Sequence, residues 1–268
     1  MDRIKAAVVQ VCSTEDTPAN LDRAEALVRA AAADGATLIC VPENVGYLKF
    51  TSRRDPGEPL ASSVIVERFS QLAVECEAAI LVGSFHRSGD DPMRTWNTSV
   101  LLDGSGAVVA VYDKIHLFDI EIPGQVCFRE SDDIIAGTAP VLATIGDTTI
   151  GMSVCYDLRF PELYRHLAAH GAEILTVPAA FTLQTGKDHW EVLLRARAIE
   201  NQCYVLAPGQ WGAHGGKRHS YGHSMIIDPW GHVIARSSDG DGWASAWLEP
   251  EHLITIRRNL PCADHRRL

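Results

Sequence analysis

Cys155 is the residue of this sequence whose setting best suits covalent chemistry. It follows an alternation of apolar and small residues at 150–154, which predicts a strand, and precedes a helix that Pro161 should open. Unpaired N–H groups at the start of a helix carry partial positive charge, so they favour a thiolate and any oxyanion beside it. The junction therefore predicts a nucleophile, although a buried cysteine more often serves as apolar filling.

Glu43 and Lys114 could supply the groups that a cysteine nucleophile needs. An unperturbed thiol has a pKa of about 8.5, so it requires a base, a neighbouring cation or both. Glu43 follows an entirely apolar strand, and Lys114 opens a long charged segment that also contains Glu130. Each alone is most often a solvated surface charge. Because reactive groups gather at strand ends, the set predicts a proton shuttle, an oxyanion-stabilising ammonium and a nucleophilic thiolate.

The seven cysteines show no pattern typical of metal binding or disulfides. There is no C-x-x-C pair, no Cys/His cluster at ligand spacing and no glycine-rich loop opening a helix. We therefore expect reduced thiols, no zinc and no cofactor, with Cys155 alone exposed beside a cation. His189 and His223 leave open a cysteine–histidine dyad or a metal site, but the carboxylate and ammonium already supply base and charge.

The composition is typical of a soluble globular enzyme. The 268 residues are 46% apolar and 22% charged, and nothing resembles a linker, so we expect a single domain over 1–268. The net charge of −10 contains no basic block, which argues against nucleic-acid binding. The sequence has neither an apolar run of about 18 residues nor a signal-peptide pattern, so no membrane association and a cytoplasmic location are expected.

Alternating strand and helix patterns run along the chain. Apolar patterns predict strands and helices, and the segment 113–139 reads as an irregular loop. A strand–helix–strand unit ending at 40–43 is similar to one ending at 176–179, which suggests two similarly built halves that meet face to face. The pattern predicts an α/β sandwich with helices outside two packed sheets. The expected strands are 4–11, 37–41, 79–86, 95–102, 107–112, 150–154, 173–177, 203–207, 221–228, 232–237 and 243–248.

Three segments resemble the signature segments of the nitrilase superfamily, the carbon–nitrogen hydrolases. They are 41–44 (Val-Pro-Glu-Asn), 112–119 (Tyr-Asp-Lys-Ile-His-Leu-Phe-Asp) and 154–163 (Val-Cys-Tyr-Asp-Leu-Arg-Phe-Pro-Glu-Leu). The resemblance covers nearly the whole chain and implies a four-layer αββα sandwich and a homodimer or higher homo-oligomer. It also implies site roles: Glu43 as general base and acid, Lys114 as oxyanion stabiliser, Cys155 as nucleophile, Glu130 as a further active-site glutamate, and the Tyr156 N–H as part of the oxyanion site.

Other segments look like one branch of that superfamily. Residues 118–124 and 185–191 resemble the branch with ω-amidases and deaminated-glutathione amidases, and 210–214 with 217–224 look more like the latter. One departure is Lys187-Asp188, where the family commonly has Gly-Pro. The resemblance implies a small-molecule amide of an α-keto acid, cleaved through a thioester. ω-Amidase activity, or a scaffold role with vestigial chemistry, remains the alternative.

The anionic substrate that the resemblance implies would need cationic partners. The candidates for substrate contacts are Tyr156, Arg159, Phe181, Lys187, His189, Lys217 and Arg218. Of the cations among them, we expect only one or two to contact the ligand. Most surface Lys and Arg side chains serve solubility instead.

Overall fold

The computed structural model describes residues 1–49, 55, 57–122 and 126–267. The strands are β1 (Ile4–Gln10), β2 (Leu38–Cys40), β3 (Ala79–Arg87), β4 (Trp96–Leu102), β5 (Val108–Asp113), β6 (Asp119–Ile122), β7 (Val126–Arg129), β8 (Leu142–Ile145), β9 (Thr148–Met152), β10 (Ile174–Thr176), β11 (Tyr204–Ala207), β12 (Trp211–Gly215), β13 (Arg218–Tyr221), β14 (Met225–Ile227), β15 (Val233–Arg236) and β16 (Gly242–Leu248). The helices are α1 (Thr17–Ala33), α2 (Val64–Cys76), α3 (Pro161–Ala169), the single turn α4 (Leu183–Thr185), α5 (Glu191–Asn201) and α6 (Pro250–Asn259).

Two six-stranded sheets carry the fold. The strand order is β16-β1-β2-β3-β4-β5 in the first sheet and β15-β14-β11-β10-β9-β8 in the second. In each sheet three central strands run parallel and the outer pairs are antiparallel. This agrees with the two similarly built halves that the repeated strand–helix–strand pattern suggests.

Three apolar clusters separate four layers of secondary structure. Helices α1 and α2 pack on the outer face of the first sheet, through residues such as Leu21 and Phe69. The inner faces of the two sheets meet each other, with Val8 of one and Met152 of the other in the same cluster. Helices α3 and α5 cover the outer face of the second sheet. The four-layer αββα sandwich expected from the resemblance is confirmed.

The helix boundaries follow local sequence signals. In α1 the cap is Asp16, whose carboxylate accepts from the Ala19 N–H at 3.2 Å, and Pro18 lies in the first turn. Thr17 is the first helical residue. With 17 residues, α1 is the longest of the described helices. No helix in the described ranges combines the length and apolar character needed to cross a membrane.

The prediction of an irregular segment over 113–139 was wrong in part. Strands β6 and β7 form an antiparallel hairpin there, and β8 follows soon after it. Each of these strands has only 4 residues, so the alternation of β6 (Asp-Ile-Glu-Ile) is too short to identify a strand within a charged segment. The hairpin of β12 and β13 was also missed, because Gly212 and Gly215 are poor strand formers.

Candidate active site

The structure brings Glu43, Lys114, Glu130 and Cys155 together, where strands of both sheets end. Glu43 follows β2 and Lys114 follows β5, so both come from the first sheet. Cys155 follows β9 of the second sheet, and Glu130 begins a short 3₁₀ turn after β7. Three of the four groups thus lie at ends of strands whose apolar runs the sequence makes visible.

Lys114 is a buried ammonium held between two carboxylates. Its Nζ donates to Glu43 Oε1 at 3.2 Å and to Glu130 Oε2 at 2.8 Å, and the residue is only 2% exposed. Burial alone would lower the pKa of Lys114, but Glu130, Glu43 and Cys155 raise it above its ordinary value. The side chain therefore stays charged, as a stabiliser of negative charge requires.

Glu43 is a buried carboxylate that is kept ionised. Its Oε2 accepts from the Ala180 N–H at 2.7 Å, and its Oε1 accepts from Asn97 Nδ2 at 2.9 Å and from Lys114. Burial raises the pKa of Glu43, but Lys114, the thiol of Cys155 and the two N–H donors together bring it below its ordinary value. An ionised carboxylate next to the Cys155 thiol can take its proton.

The setting of Cys155 corrects the expectation of an exposed thiolate. The residue is half-buried at the start of a 3₁₀ helix, Cys155–Arg159, with a positive φ of 49° and its N–H bonded to Pro178 O at 2.9 Å. Burial and the charge of Glu43 raise the pKa of the thiol well above its ordinary value, and Lys114 offsets this only in part. Cys155 is therefore a neutral thiol while the Glu43 carboxylate lies beside it. Among the cysteines whose side chains the structure describes, it is Cys262 that is exposed.

Asp157 ties the Cys155 turn to the segment after β5. Its fully buried carboxylate accepts from the Val154 N–H at 2.8 Å and from the Tyr112 hydroxyl at 2.7 Å. It also accepts from the His116 main chain at 3.0 Å and lies 2.7 Å from His116 Nδ1. These bonds hold the positive φ of Cys155, a conformation that costs about 1 kcal/mol or more in an L-residue. This role was missed from the sequence.

Arg218 is a half-buried cation near these groups. It donates to Lys49 O at 2.7 Å, and its guanidinium lies 5.9 Å from the centre of the Phe128 ring. Burial lowers the pKa of Arg218, and the nearby carboxylates of Glu43 and Glu130 act in the opposite direction. Within the described part of the chain it forms no ion pair with a carboxylate, which leaves it able to bind an anionic ligand.

The guanidinium of Arg159 lies near two aromatic rings, those of Tyr156 and Phe181, close to Cys155 in the chain. Its guanidinium is 5.8 Å from the ring centre of Tyr156 and 5.2 Å from that of Phe181, and its Nη1 lies 3.3 Å from His189 Nδ1. Tyr156 directly follows Cys155 in the first turn of the 3₁₀ helix, where main-chain N–H groups lack helical partners. Arg159 thus contacts Tyr156, Phe181 and His189 close to Cys155 in the chain.

The structure places other predicted contacts at the surface. Lys217 is exposed in the turn between β12 and β13, and Lys187 is exposed in the π-helical turn Gly186–Trp190. His189 is exposed in the same turn, although its ring reaches Arg159. Pro123 and Gly124, part of the resemblance at 118–124, lie outside the described residues.

The histidines near the predicted branch segments have structural contacts. His214 lies between Ser13 O and Ser220 Oγ, each at 2.8 Å, and burial lowers its pKa to about 4, so the ring is neutral. His223 lies 2.9 Å from Tyr221 O and stacks on that ring. Among the described residues, no three His, Cys, Asp or Glu side chains are grouped so that they could hold a metal ion.

Comparisons with known proteins identify the class. A family model described as carbon–nitrogen hydrolase matches residues 5–257, so the chain belongs to the carbon–nitrogen hydrolase family. The resemblance read from the three signature segments is thereby confirmed. Membership defines the chain as a hydrolase of carbon–nitrogen bonds, in agreement with the buried carboxylate, ammonium and thiol.

Individual relatives show which members of the family this chain is similar to. The deaminated glutathione amidase of Homo sapiens is 48% identical over 272 aligned positions, which cover 97% of this chain and 81% of that protein. The deaminated glutathione amidase of Synechocystis sp. (strain PCC 6803 / GT-S) is 42% identical, with 97% of each chain covered. The crystal structure of the Caenorhabditis elegans NitFhit protein has a TM-score of 0.91 and 37% identity, and the match covers 99% of this chain but 65% of that one.

Proposed function

We propose that this chain is an amidase that cleaves its substrate through a thioester on Cys155. The observation that carries the proposal is that the Cys155 thiol, the Glu43 carboxylate and the Lys114 ammonium lie together in one site, with Lys114 Nζ 3.2 Å from Glu43 Oε1. A thiol, a base and a fixed cation in one buried site are the components of nucleophilic acyl transfer.

Formation of the thioester requires all three of these groups. Glu43 takes the proton of the Cys155 thiol as the sulfur attacks the amide carbonyl. The carbonyl oxygen becomes an oxyanion, which the Lys114 ammonium and the Tyr156 N–H stabilise. Glu43 then donates its proton to the leaving nitrogen, the C–N bond breaks, and the amine departs.

Hydrolysis of the thioester repeats the sequence with water. Glu43 is a carboxylate again after protonating the amine, so it can remove a proton from a water that attacks the thioester carbonyl. The second oxyanion collapses with release of the carboxylic acid, and Glu43 returns the proton to the departing sulfur. Glu130 makes no bond to reacting atoms in this scheme, and its two contacts to Lys114 Nζ, 3.0 and 2.8 Å, keep the ammonium charged and in place.

We further propose deaminated glutathione as the substrate. The support is the name shared by the relatives in Homo sapiens and Synechocystis together with the two arginines that flank the reacting groups. Deaminated glutathione carries a carboxylate at each end of the molecule, whereas α-ketoglutaramate carries one. Arg218 and Arg159 have no carboxylate partner among the described residues, so each can pair with one end.

The substrate is tested by comparing kcat/KM of the wild-type chain for deaminated glutathione and for α-ketoglutaramate. We expect the larger value for deaminated glutathione, because a second charge-assisted contact strengthens binding in the transition state. A preference for α-ketoglutaramate would make the chain an ω-amidase. Failure to hydrolyse either compound would refute both substrates and point to another amide or to a binding role.

Arg218 and Lys217 offer a matched test of which cation binds the substrate. Arg218→Met is expected to raise KM for deaminated glutathione about tenfold or more, since a charge-assisted hydrogen bond is lost, with a smaller change in kcat. Lys217→Met should leave both constants close to wild type because its side chain is exposed at a hairpin turn. Steady-state kinetics of the two variants decide the matter, and a larger effect at Lys217 would contradict the assignment.

We also propose that the chain forms a homodimer. Support comes from the outer face of α5 and the turn after β14, which expose Val192 (67%), Ile199 (49%) and Trp230 (52%). The two elements are adjacent, since Arg195 Nε donates to Gly231 O at 2.7 Å. Exposed apolar residues grouped in this way are typical of protein interfaces.

The homodimer is tested by sedimentation. Sedimentation equilibrium should give twice the chain mass of 29.2 kDa for the wild type. The Trp230→Asp variant should sediment largely as a monomer, because a charge in an apolar interface is costly. A wild-type chain that sediments as a monomer at every concentration would refute this proposal.

A further inference from the structure

Asn97 connects three of the residues in the proposed active site. It lies in β4, is 1% exposed, and its Nδ2 donates to Glu43 Oε1 at 2.9 Å and to Glu130 Oε1 at 3.2 Å. Its main-chain oxygen accepts from the Lys114 N–H at 2.9 Å, which extends the pairing of β4 with β5. One residue thus contacts both carboxylates through its side chain and the ammonium-bearing residue through its backbone.

The two carboxylates have different tasks and share their donors. In the proposed mechanism Glu43 alternates between carboxylate and acid, whereas Glu130 must stay ionised to hold Lys114. Both accept from Lys114 Nζ and from Asn97 Nδ2. An amide is suited to this position, since it has two N–H donors and exchanges no proton in the range of working pH.

The side-chain oxygen of Asn97, Oδ1, is buried and is left without a hydrogen-bond partner among the described residues in this arrangement. A buried polar atom without a partner typically lowers stability by about 1 kcal/mol or more. The opposite amide orientation would aim Oδ1 at two carboxylates, so contact with Glu43 and Glu130 fixes the side chain at the expense of its own oxygen.

We propose that Asn97 is a positioning residue that holds Glu43 in place as the carboxylate and keeps it apart from Glu130. This inference rests on the proposed function of Glu43 as the base. The charged or titratable groups that face Glu43 are Lys114 after β5, Glu130 after β7, Cys155 after β9 and Arg218 in β13. Asn97 is the neutral donor within this set.

The test replaces Asn97 by aspartate, which has nearly the same shape but lacks the N–H donors. We expect the acidic limb of kcat/KM to move up by about one pH unit or more in Asn97→Asp, because Glu43 loses a donor and gains a negative neighbour. Asn97→Ala, which loses the donor without adding charge, should give a smaller upward shift. kcat should fall in both variants with KM little changed, since Asn97 does not touch the substrate.

Asn201→Asp is the matched control. Asn201 is also buried, donates through Nδ2 to Arg197 O at 2.9 Å, and has an Oδ1 without a partner among the described residues. It lies in α5, so its replacement should lower stability without moving the acidic limb. If the acidic limb of kcat/KM lies at the same pH in the wild type, Asn97→Asp and Asn97→Ala, the positioning role of Asn97 is refuted.

A second readout separates this inference from the choice of substrate. The rate of Cys155 alkylation by iodoacetamide, followed by peptide mass spectrometry, depends on proton transfer to Glu43 and requires no amide turnover. Its acidic limb should shift upward in the two Asn97 variants as the kinetic limb does. If the wild type hydrolyses neither amide, the proposed substrate is wrong, but the alkylation experiment still tests Asn97. An upward shift of the acidic limb in the two Asn97 variants supports the positioning role, and an unchanged limb refutes it.

Discussion

Replacing Cys155 with serine is expected to lower kcat for amide hydrolysis by roughly 10⁴-fold or more, which amounts to loss of activity. The hydroxyl is much less acidic than the thiol, so the Glu43 carboxylate cannot remove its proton at neutral pH. The fold should be kept, because serine differs from cysteine by one atom. The measurement is amine release from deaminated glutathione, with circular dichroism as a check on folding.

Cys12 provides the control for this substitution. Its Sγ lies 3.7 Å from His214 Nδ1, so it is the cysteine that a cysteine–histidine interpretation would choose in the described part of the chain. Cys12→Ser should retain activity close to wild type. Mass spectrometry of wild-type enzyme quenched during turnover should find the acyl group on Cys155. An acyl group on Cys12, or full activity of Cys155→Ser, would refute the proposed nucleophile.

The second large effect is expected at Lys114. Lys114→Met should lower kcat by roughly 10³-fold, because the oxyanion loses its ammonium donor. The substitution should also reduce the free energy of unfolding by about 3 kcal/mol or more, since Glu43 and Glu130 become buried carboxylates without a cation. Urea unfolding measures the second effect and steady-state kinetics the first.

A double variant separates the two roles of Lys114. Lys114→Met combined with Glu130→Gln removes one of the two facing charges, so part of the lost stability should return while kcat stays low. Lys5→Met is the matched control: its ion pair with Asp34 Oδ2, 3.0 Å, is partly exposed and should contribute less than about 1 kcal/mol. Recovery of kcat in the double variant would show that Lys114 acts only on stability.

The central strands and three proposed active-site residues could be predicted from the sequence for one physical reason. Buried parallel strands are apolar on both faces, so their ends are visible where the apolar run stops. Glu43 and Cys155 follow such runs, at β2 and β9, whereas Lys114 follows β5, an antiparallel edge strand that is apolar in sequence. The 3₁₀ helix at Cys155 and its positive φ could not be predicted, because Asp157 holds that turn through contacts with Tyr112 of β5 and with His116 after it.

Groups that depend on contacts with remote segments were harder to predict. Asn97 lies near the start of β4, and alternation shows which face a strand residue occupies but not which carboxylates it meets there. Lys217 and Arg218 are adjacent cations, yet Lys217 is exposed and Arg218 is half-buried near Glu43. The ionisation of Cys155 was predicted wrongly because burial by remote segments outweighs the local effect of a helix start.

The origin of the proposed active-site groups in two different sheets has a consequence for the newly made chain. Glu43 and Lys114 follow strands of the first sheet, and Cys155 follows a strand of the second. Before the apolar faces of the sheets dock, the cysteine has no base beside it and behaves as an ordinary thiol. We therefore expect the nucleophile to be assembled only when the two sheets dock, so that a molecule whose sheets are still apart is inert toward amides.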